Sequence, residues 1–467
     1  MVGLVAAFAL WGWFDVRNRG SVDPNQPWVH KTDLTVYTEA GAAFFDGRDP
    51  YTVTNPRGWG YLYPPLFAML VAPLDQLDTR NQVLVWFALN VLLGWGCLRE
   101  LVRIAHSVLP NGTDSGLFGP VPTWLGVAAV SAALLPALNC LQRGQVGVAK
   151  LYVLLLGFRM LVASRSVVGP LVAGCVLAFP IALKITPVVP VAIVIGQQWT
   201  SAWYAKSRAA WARAGACSLG TAGGLAVCFL LLPAALVGWQ ANLHHLGTWW
   251  NVVAVLAEST PADEFAGDST SVRNQSLVNA THRLGNWTHY YFAGGPHDHG
   301  PGQLRRGGAG LLMDAPVVEG ILLVVRFLAG CLVVAVGFRM AKARDKLGQA
   351  AAFGLACAAT LVIFPIARGH YYVLLLPAVT FVSLWHLEQR RAKWALALAI
   401  VPGVLVITHY ALVDVAGRIG LLGLGTTLWY MTAGAAMLWP RRLDASQASV
   451  SRVVTPAALA AERPMAA

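Results

Sequence analysis

Apolar runs of roughly 15 to 23 residues, each closed by a short polar stretch, dominate this chain, and that length carries an α-helix across a hydrocarbon core. About twelve such runs are legible, near 1–14, 83–98, 122–139, 146–163, 168–183, 186–199, 214–236, 317–338, 349–365, 371–386, 394–411 and 420–440. Two polar intervals, about 15–82 and 238–316, are too long to be simple connections. The first holds a distinctive segment, 31–65. There Asp33 directly precedes a helical spacing of Leu34, Tyr37, Ala40, Gly41, Phe44 and Phe45, and Asp49-Pro50-Tyr51 and Tyr63-Pro64-Pro65 then fix the backbone. The pattern predicts an all-α polytopic membrane protein of about twelve transmembrane helices, with a large first outer loop carrying amphipathic helices. Residues 1–440 read as one membrane domain and the Ala/Ser-rich 441–467 as a disordered cytoplasmic tail. The first run lacks a basic leader and does not read as a cleavable signal peptide.

Composition agrees with the pattern: 56% of residues are hydrophobic and only 12% charged, about half the charged share of soluble domains. The distribution of the net charge of +12 matters more than its size. Loops 99–121, 159–167, 197–213, 339–348, 386–393 and 441–467 fall on one side, and they hold 18 of the 34 Lys and Arg but 6 of the 22 Asp and Glu. That asymmetry marks cytoplasmic loops, so the positive charge is a topology signal and nucleic acid is not an expected partner. The seven cysteines lie in or at the ends of apolar segments and read as small core residues rather than a disulfide framework.

With this topology the unusual polar residues gather at the outer ends of helices: Asp33; Arg143 and Gln145; Lys184 between two short apolar runs; Asn274, Gln275 and Arg283; Arg368 and His370. Cations in short outer loops run against the positive-inside rule and call for a reason. One acid with several cations suits a site that binds an anion and moves a proton. Each residue also has an ordinary reading: Asp33 as a helix N-cap, Asp49 as a turn former, Lys184 as a snorkelling side chain, His370 as a satisfied helix-end histidine. A transporter or lipid flippase would place its charges nearer the midplane, and a polysaccharide polymerase or ligase would share the outward site. His297-Asp298-His299 lacks further spaced ligands, so no metal is expected. No Gly-rich nucleotide loop occurs either, and no cofactor is expected.

In these motifs the sequence resembles glycosyltransferase family 87, polytopic enzymes of the GT-C superfamily that use polyprenyl-phosphate sugars. The matching pieces are Asp33 with Tyr37, Gly47-x-Asp49-Pro50-Tyr51, Tyr63-Pro64-Pro65, Arg143-Gly144-Gln145, Lys184-x-x-Pro187, Asn274-Gln275-Ser276-Leu277 and His370-Tyr371. It departs from the family pattern at Gly147, where many members have asparagine, at Lys150, and in a Gly/His-rich insertion near 293–310. The resemblance implies a GT-C bundle in the cell membrane with its site on the extracytoplasmic side, and an inverting transfer of a hexose, mannose in this reading, to a lipid or glycan acceptor. It implies Asp33 as general base. Arg143, Gln145, Lys184, Asn274, Gln275, Arg283, Arg368 and His370 would hold the donor's phosphate and sugar, with Tyr37, Tyr51 and Tyr63 shaping the site.

Overall fold

The computed structural model describes residues 10–15, 18, 32–55, 60–109, 118–251, 274–281 and 316–439. Among these the chain is helical, and backbone pairing outside helices is confined to isolated bridges such as Asn274 with Arg368. Two helices belong to the first polar interval: α1 (Leu34–Phe45) and α2 (Pro65–Val71). The bundle follows as α3 (Thr79–Val108), α4 (Thr123–Arg143), α5 (Gly147–Ala163), α6 (Val168–Leu183), α7 (Val188–Ala205) and α8 (Arg208–Ala226). α8 runs on through a π turn, Val227–Leu231, to Val237. After α9 (Trp239–Trp249) come α10 (Pro316–Lys342), α11 (Lys346–Ile363), α12 (Leu375–Glu388), α13 (Ala392–Ala411), α14 (Val413–Arg418) and α15 (Leu421–Leu438).

Eight described helical stretches are long and apolar enough to cross a membrane. They cover the expected runs from 83–98 to 420–440 except three, and those three form α5, α6 and α7. α5 and α6 are short, at 17 and 16 residues, and α7 carries Gln197 and Gln198. Of the run at 1–14, only 10–14 lies within the described residues. The Gly/His-rich 293–310, the His297-Asp298-His299 triplet, Arg283 and the tail lie outside them.

Exposed side chains support the membrane reading. α13 presents Leu396, Ile400, Val404 and Ile407 along one stripe, and α10 presents Ile321, Leu323, Val324, Phe327 and Leu328. Such apolar faces are costly in water and ordinary against lipid. At the centre, α11 and α12 are enclosed on nearly all sides. Their close approach rests on small residues: a Cβ on Gly354 would stand 2.6 Å from the Pro377 carbonyl oxygen.

A second hydrophobic core is distinct from that of the bundle. It joins α1, α2, Tyr61 and Tyr63 to Val83 and Trp86 of α3, Val146 before α5, and Ala182 and Leu183 ending α6. The first polar interval therefore packs over the ends of α5 and α6. α1 is buried more fully than an amphipathic helix would be, with nine of its residues enclosed and Glu39 and Phe45 exposed. Toward the opposite end of α5, buried Glu100 of α3 takes Arg103 at 2.7 Å and Arg159 at 2.6 Å. Arg159 is about 18 Å along α5 from Gly147.

Candidate active site

The geometry starts with a glycine. α4 stops at Gly144 with φ +71, the left-handed conformation in which glycine ends helices. Its N–H donates to the Leu141 carbonyl, and Gln145 N–H reaches the Cys140 carbonyl at 2.9 Å. This turn holds the start of α1: Asp33 N–H donates to the Arg143 carbonyl at 2.9 Å. A Cβ on Gly144 would stand 2.8 Å from Leu34 Cβ and 2.9 Å from Thr32 Oγ1.

Asp33 occupies the N-cap position of α1, yet its carboxylate makes no capping hydrogen bond. The first helical N–H, that of Leu34, donates to Thr32 Oγ1 at 3.2 Å. The buried Asp33 side chain turns to Gln145, whose Nε2 donates to Asp33 Oδ2 at 2.6 Å and to the Tyr37 hydroxyl at 2.9 Å. Gln145 Oε1 accepts from the Tyr63 hydroxyl at 2.9 Å. A carboxylate only accepts, so this set fixes the orientation of the Gln145 amide. Lys184 Nζ donates to the same Tyr63 hydroxyl at 3.4 Å and to the Tyr371 hydroxyl. A continuous hydrogen-bonded chain thus joins Lys184 to Asp33 through Tyr63 and Gln145.

Aromatic rings wall this chain. Tyr37 stands edge-on to Tyr63 at 5.0 Å and to Phe67 at 5.2 Å. Tyr51 donates its hydroxyl to the Tyr63 carbonyl at 2.9 Å and braces Tyr63 from behind. Asp49 accepts from Tyr51 N–H at 2.9 Å, as a turn former should. Burial, with the charge of neighbouring groups second, pushes the Tyr37 and Tyr63 phenols well above their usual range, so both stay protonated and act as donors.

Lys184 is the extended residue that ends α6. Its Nζ lies 4.8 Å from the Tyr63 ring centre and 4.2 Å from that of Tyr371. Burial first, and the Arg368 guanidinium second, make its ammonium easier to deprotonate, while Asp33 acts in the opposite sense. His370 is buried beside Tyr371, with ring centres 4.6 Å apart, and its carbonyl accepts from the Cys140 thiol. His370 Nε2 is enclosed without a hydrogen-bond partner among the described residues. Arg143 and Arg368 are half-exposed.

Asn274 and Gln275 hold backbone beside Arg368. Asn274 Oδ1 accepts from Ala367 N–H at 3.1 Å, Gln275 N–H donates to the Ala367 carbonyl at 2.7 Å, and Gln275 Nε2 donates to the Gly417 carbonyl at 3.0 Å. These contacts fasten the strand-like segment that presents Arg368. Two residues not among the expected site residues lie beside the cluster: Tyr371, whose hydroxyl accepts from Lys184 Nζ, and Thr186, whose Oγ1 accepts from Lys150 Nζ at 2.8 Å. The aromatic beside His370 was the available signal for Tyr371; nothing in the local sequence singled out Thr186.

A helical membrane bundle whose one end carries a buried carboxylate wired to a lysine, with two arginines nearby, has the parts for group transfer from an anionic donor. The model of glycosyltransferase family 87 matches residues 61–365, more than half of the chain. The chain belongs to that family and is a membrane-embedded glycosyltransferase. The matched range contains Tyr63, Arg143, Gln145, Lys184, Asn274 and Gln275; Asp33, Tyr37, Arg368 and His370 lie outside it and are joined to it by the contacts above. No curated protein and no solved structure matches the chain.

Proposed function

We propose that the protein transfers a hexose, mannose in our reading, from a polyprenyl-phosphate sugar to a lipid or glycan acceptor on the extracytoplasmic face of the cell membrane. Asp33 takes the proton of the acceptor hydroxyl as its oxygen attacks the anomeric carbon, and the bond from that carbon to the phosphate oxygen breaks. One displacement opposite the leaving group inverts the anomeric centre, through an oxocarbenium-like transition state. The electron pair leaves with the lipid phosphate, whose charge is met by Lys184, Arg368 and Arg143, with His370 donating to phosphate or sugar. Asn274 and Gln275 serve this site by holding Arg368. The outward site favours a lipid-linked donor, because nucleotide sugars are held in the cytoplasm.

One observation carries the reading: a buried carboxylate that does not cap its own helix is linked by hydrogen bonds to an ammonium group lacking a carboxylate partner among the described residues. The test is transfer of label from polyprenyl-phosphomannose by purified protein in liposomes. The Asp33→Asn variant should lose about 10²- to 10⁴-fold in rate. Full transfer by that variant removes Asp33 as base, and uptake of label without a covalent product replaces the transferase reading with a transporter. For the face, a cysteine placed at exposed Asp75, in a chain lacking exposed Cys175 and Cys331, should react in intact cells with a membrane-impermeant maleimide. Labelling only after lysis reverses the orientation.

A further inference from the structure

Lys150 lies one turn into α5 and is buried in the bundle. Its Nζ donates to Thr186 Oγ1 at 2.8 Å and stands 5.6 Å from the centre of the Tyr371 ring. No carboxylate pairs with it among the described residues, although an ammonium group carries three donors and a buried charge without compensation is costly. Lys184 approaches the same ring and hydroxyl. Two lysine side chains therefore meet at one phenol in a largely enclosed place, and among the described residues no carboxylate pairs with either.

We propose that Lys150 is a second cation of the leaving-phosphate seat, acting with Lys184 at the Tyr371 ring. This rests on the polyprenyl-phosphate reading above and specifies how its phosphate is met. The donor is a phosphodiester with one negative charge. When the sugar leaves, the lipid keeps a phosphomonoester of charge near −1.5 to −2 at neutral pH. A second ammonium group answers charge that develops during the reaction, so its effect falls on the transition state and the product more than on the bound donor. The ordinary alternative is that Lys150 is only a peg holding Thr186, and so the 184–187 turn. A peg needs a hydrogen-bond donor but no charge.

Lys150→Gln separates the two, since it keeps a donor and removes the charge. Two readouts are taken on full-length protein in detergent: the kinetics of transfer, and binding of polyprenyl monophosphate measured as inhibition and as thermal stabilisation. Lys150→Gln should lower kcat about tenfold or more, change the donor KM less, and weaken polyprenyl monophosphate binding by a similar factor. Lys150→Arg should stay within a few-fold of wild type in both. Should Lys150→Gln fail to fold, Thr186→Val serves, because it removes the peg contact and keeps the ammonium group; it should retain tight monophosphate binding. Wild-type kcat and monophosphate binding in Lys150→Gln would overturn the proposal, as would loss of monophosphate binding in Thr186→Val. If wild-type protein itself neither binds nor is inhibited by polyprenyl monophosphate, the donor class is wrong, an outcome separate from a failure of Lys150 alone.

Discussion

Gln145→Leu keeps the bulk of Gln145 and deletes the amide that ties Asp33 to its surroundings. Three hydrogen bonds go: one to the Asp33 carboxylate at 2.6 Å, one to Tyr37 at 2.9 Å and one from Tyr63 at 2.9 Å. A bond to a charged group contributes about 1.5–3 kcal/mol and each neutral one about 1 kcal/mol. Tyr37 and Tyr63 keep their mutual contact at 3.3 Å, so the losses are not additive, and about 3–5 kcal/mol is a ceiling. The backbone tie between Asp33 and Arg143 survives the substitution, so α1 stays docked and the damage concentrates on the direction of one carboxylate. Misplacing a reacting group by about 1 Å can cost on the order of 10²-fold. We therefore expect kcat to fall about 10- to 100-fold with a donor KM close to wild type, measured by transfer from labelled polyprenyl-phosphomannose at saturating acceptor. Gln145→Glu is the companion: it sets a second carboxylate beside Asp33, and two such charges about 4 Å apart repel by about 4 kcal/mol at an effective dielectric near 20. One of the pair then holds a proton, and activity should fail at a higher pH than in wild type as the medium is acidified. A folded Gln145→Leu protein with kcat within about twofold of wild type would refute the claim that Gln145 aims Asp33.

Two further outcomes follow from the same cluster. Lys184→Met should raise the donor KM about 10- to 100-fold, the equivalent of one charge-assisted contact. Because burial and Arg368 make the free Lys184 ammonium easier to deprotonate and an arriving phosphate favours its charged form, donor binding takes up a proton. The donor KM should therefore climb as pH rises between about 6 and 9 in wild type and stay flat in Lys184→Arg; a flat wild-type curve removes Lys184 from the phosphate seat. Gly144→Ala forces a side chain into left-handed backbone at about 1–2 kcal/mol and presses Cβ against Leu34 and Thr32. Thermal unfolding in detergent should come several degrees earlier and transfer should slow with it, and a variant unchanged in both would show that the α4 turn does not set Asp33.

The bundle was legible because lipid imposes length and apolarity on every crossing, and those are properties of a sequence window. Residues of the candidate site stood out for a related reason: Asp33, Gln145 and Lys184 are polar where a helix end in or near a membrane tolerates polarity only with a partner. What escaped the sequence is what one segment does to another. Asp33 before Leu34 has the local signature of a cap, yet its carboxylate makes no capping hydrogen bond and accepts from a residue 112 positions away. Asn274 and Gln275 carry side chains suited to a sugar, and nothing local in the sequence shows that they also bind the backbone of Ala367 and Gly417, whose groups would be costly to bury unpaired. α1 reads as one-sided from its spacing, but whether its polar face meets solvent depends on Gln82 of α3, which takes the Thr38 hydroxyl at 3.0 Å. Periodicity names a face and not the element that covers it. The two lysines at Tyr371 come from α5 and from the turn after α6, and only packing reveals that neither has a carboxylate partner among the described residues; that shared lack of a counter-ion is the physical ground on which the anionic donor is proposed.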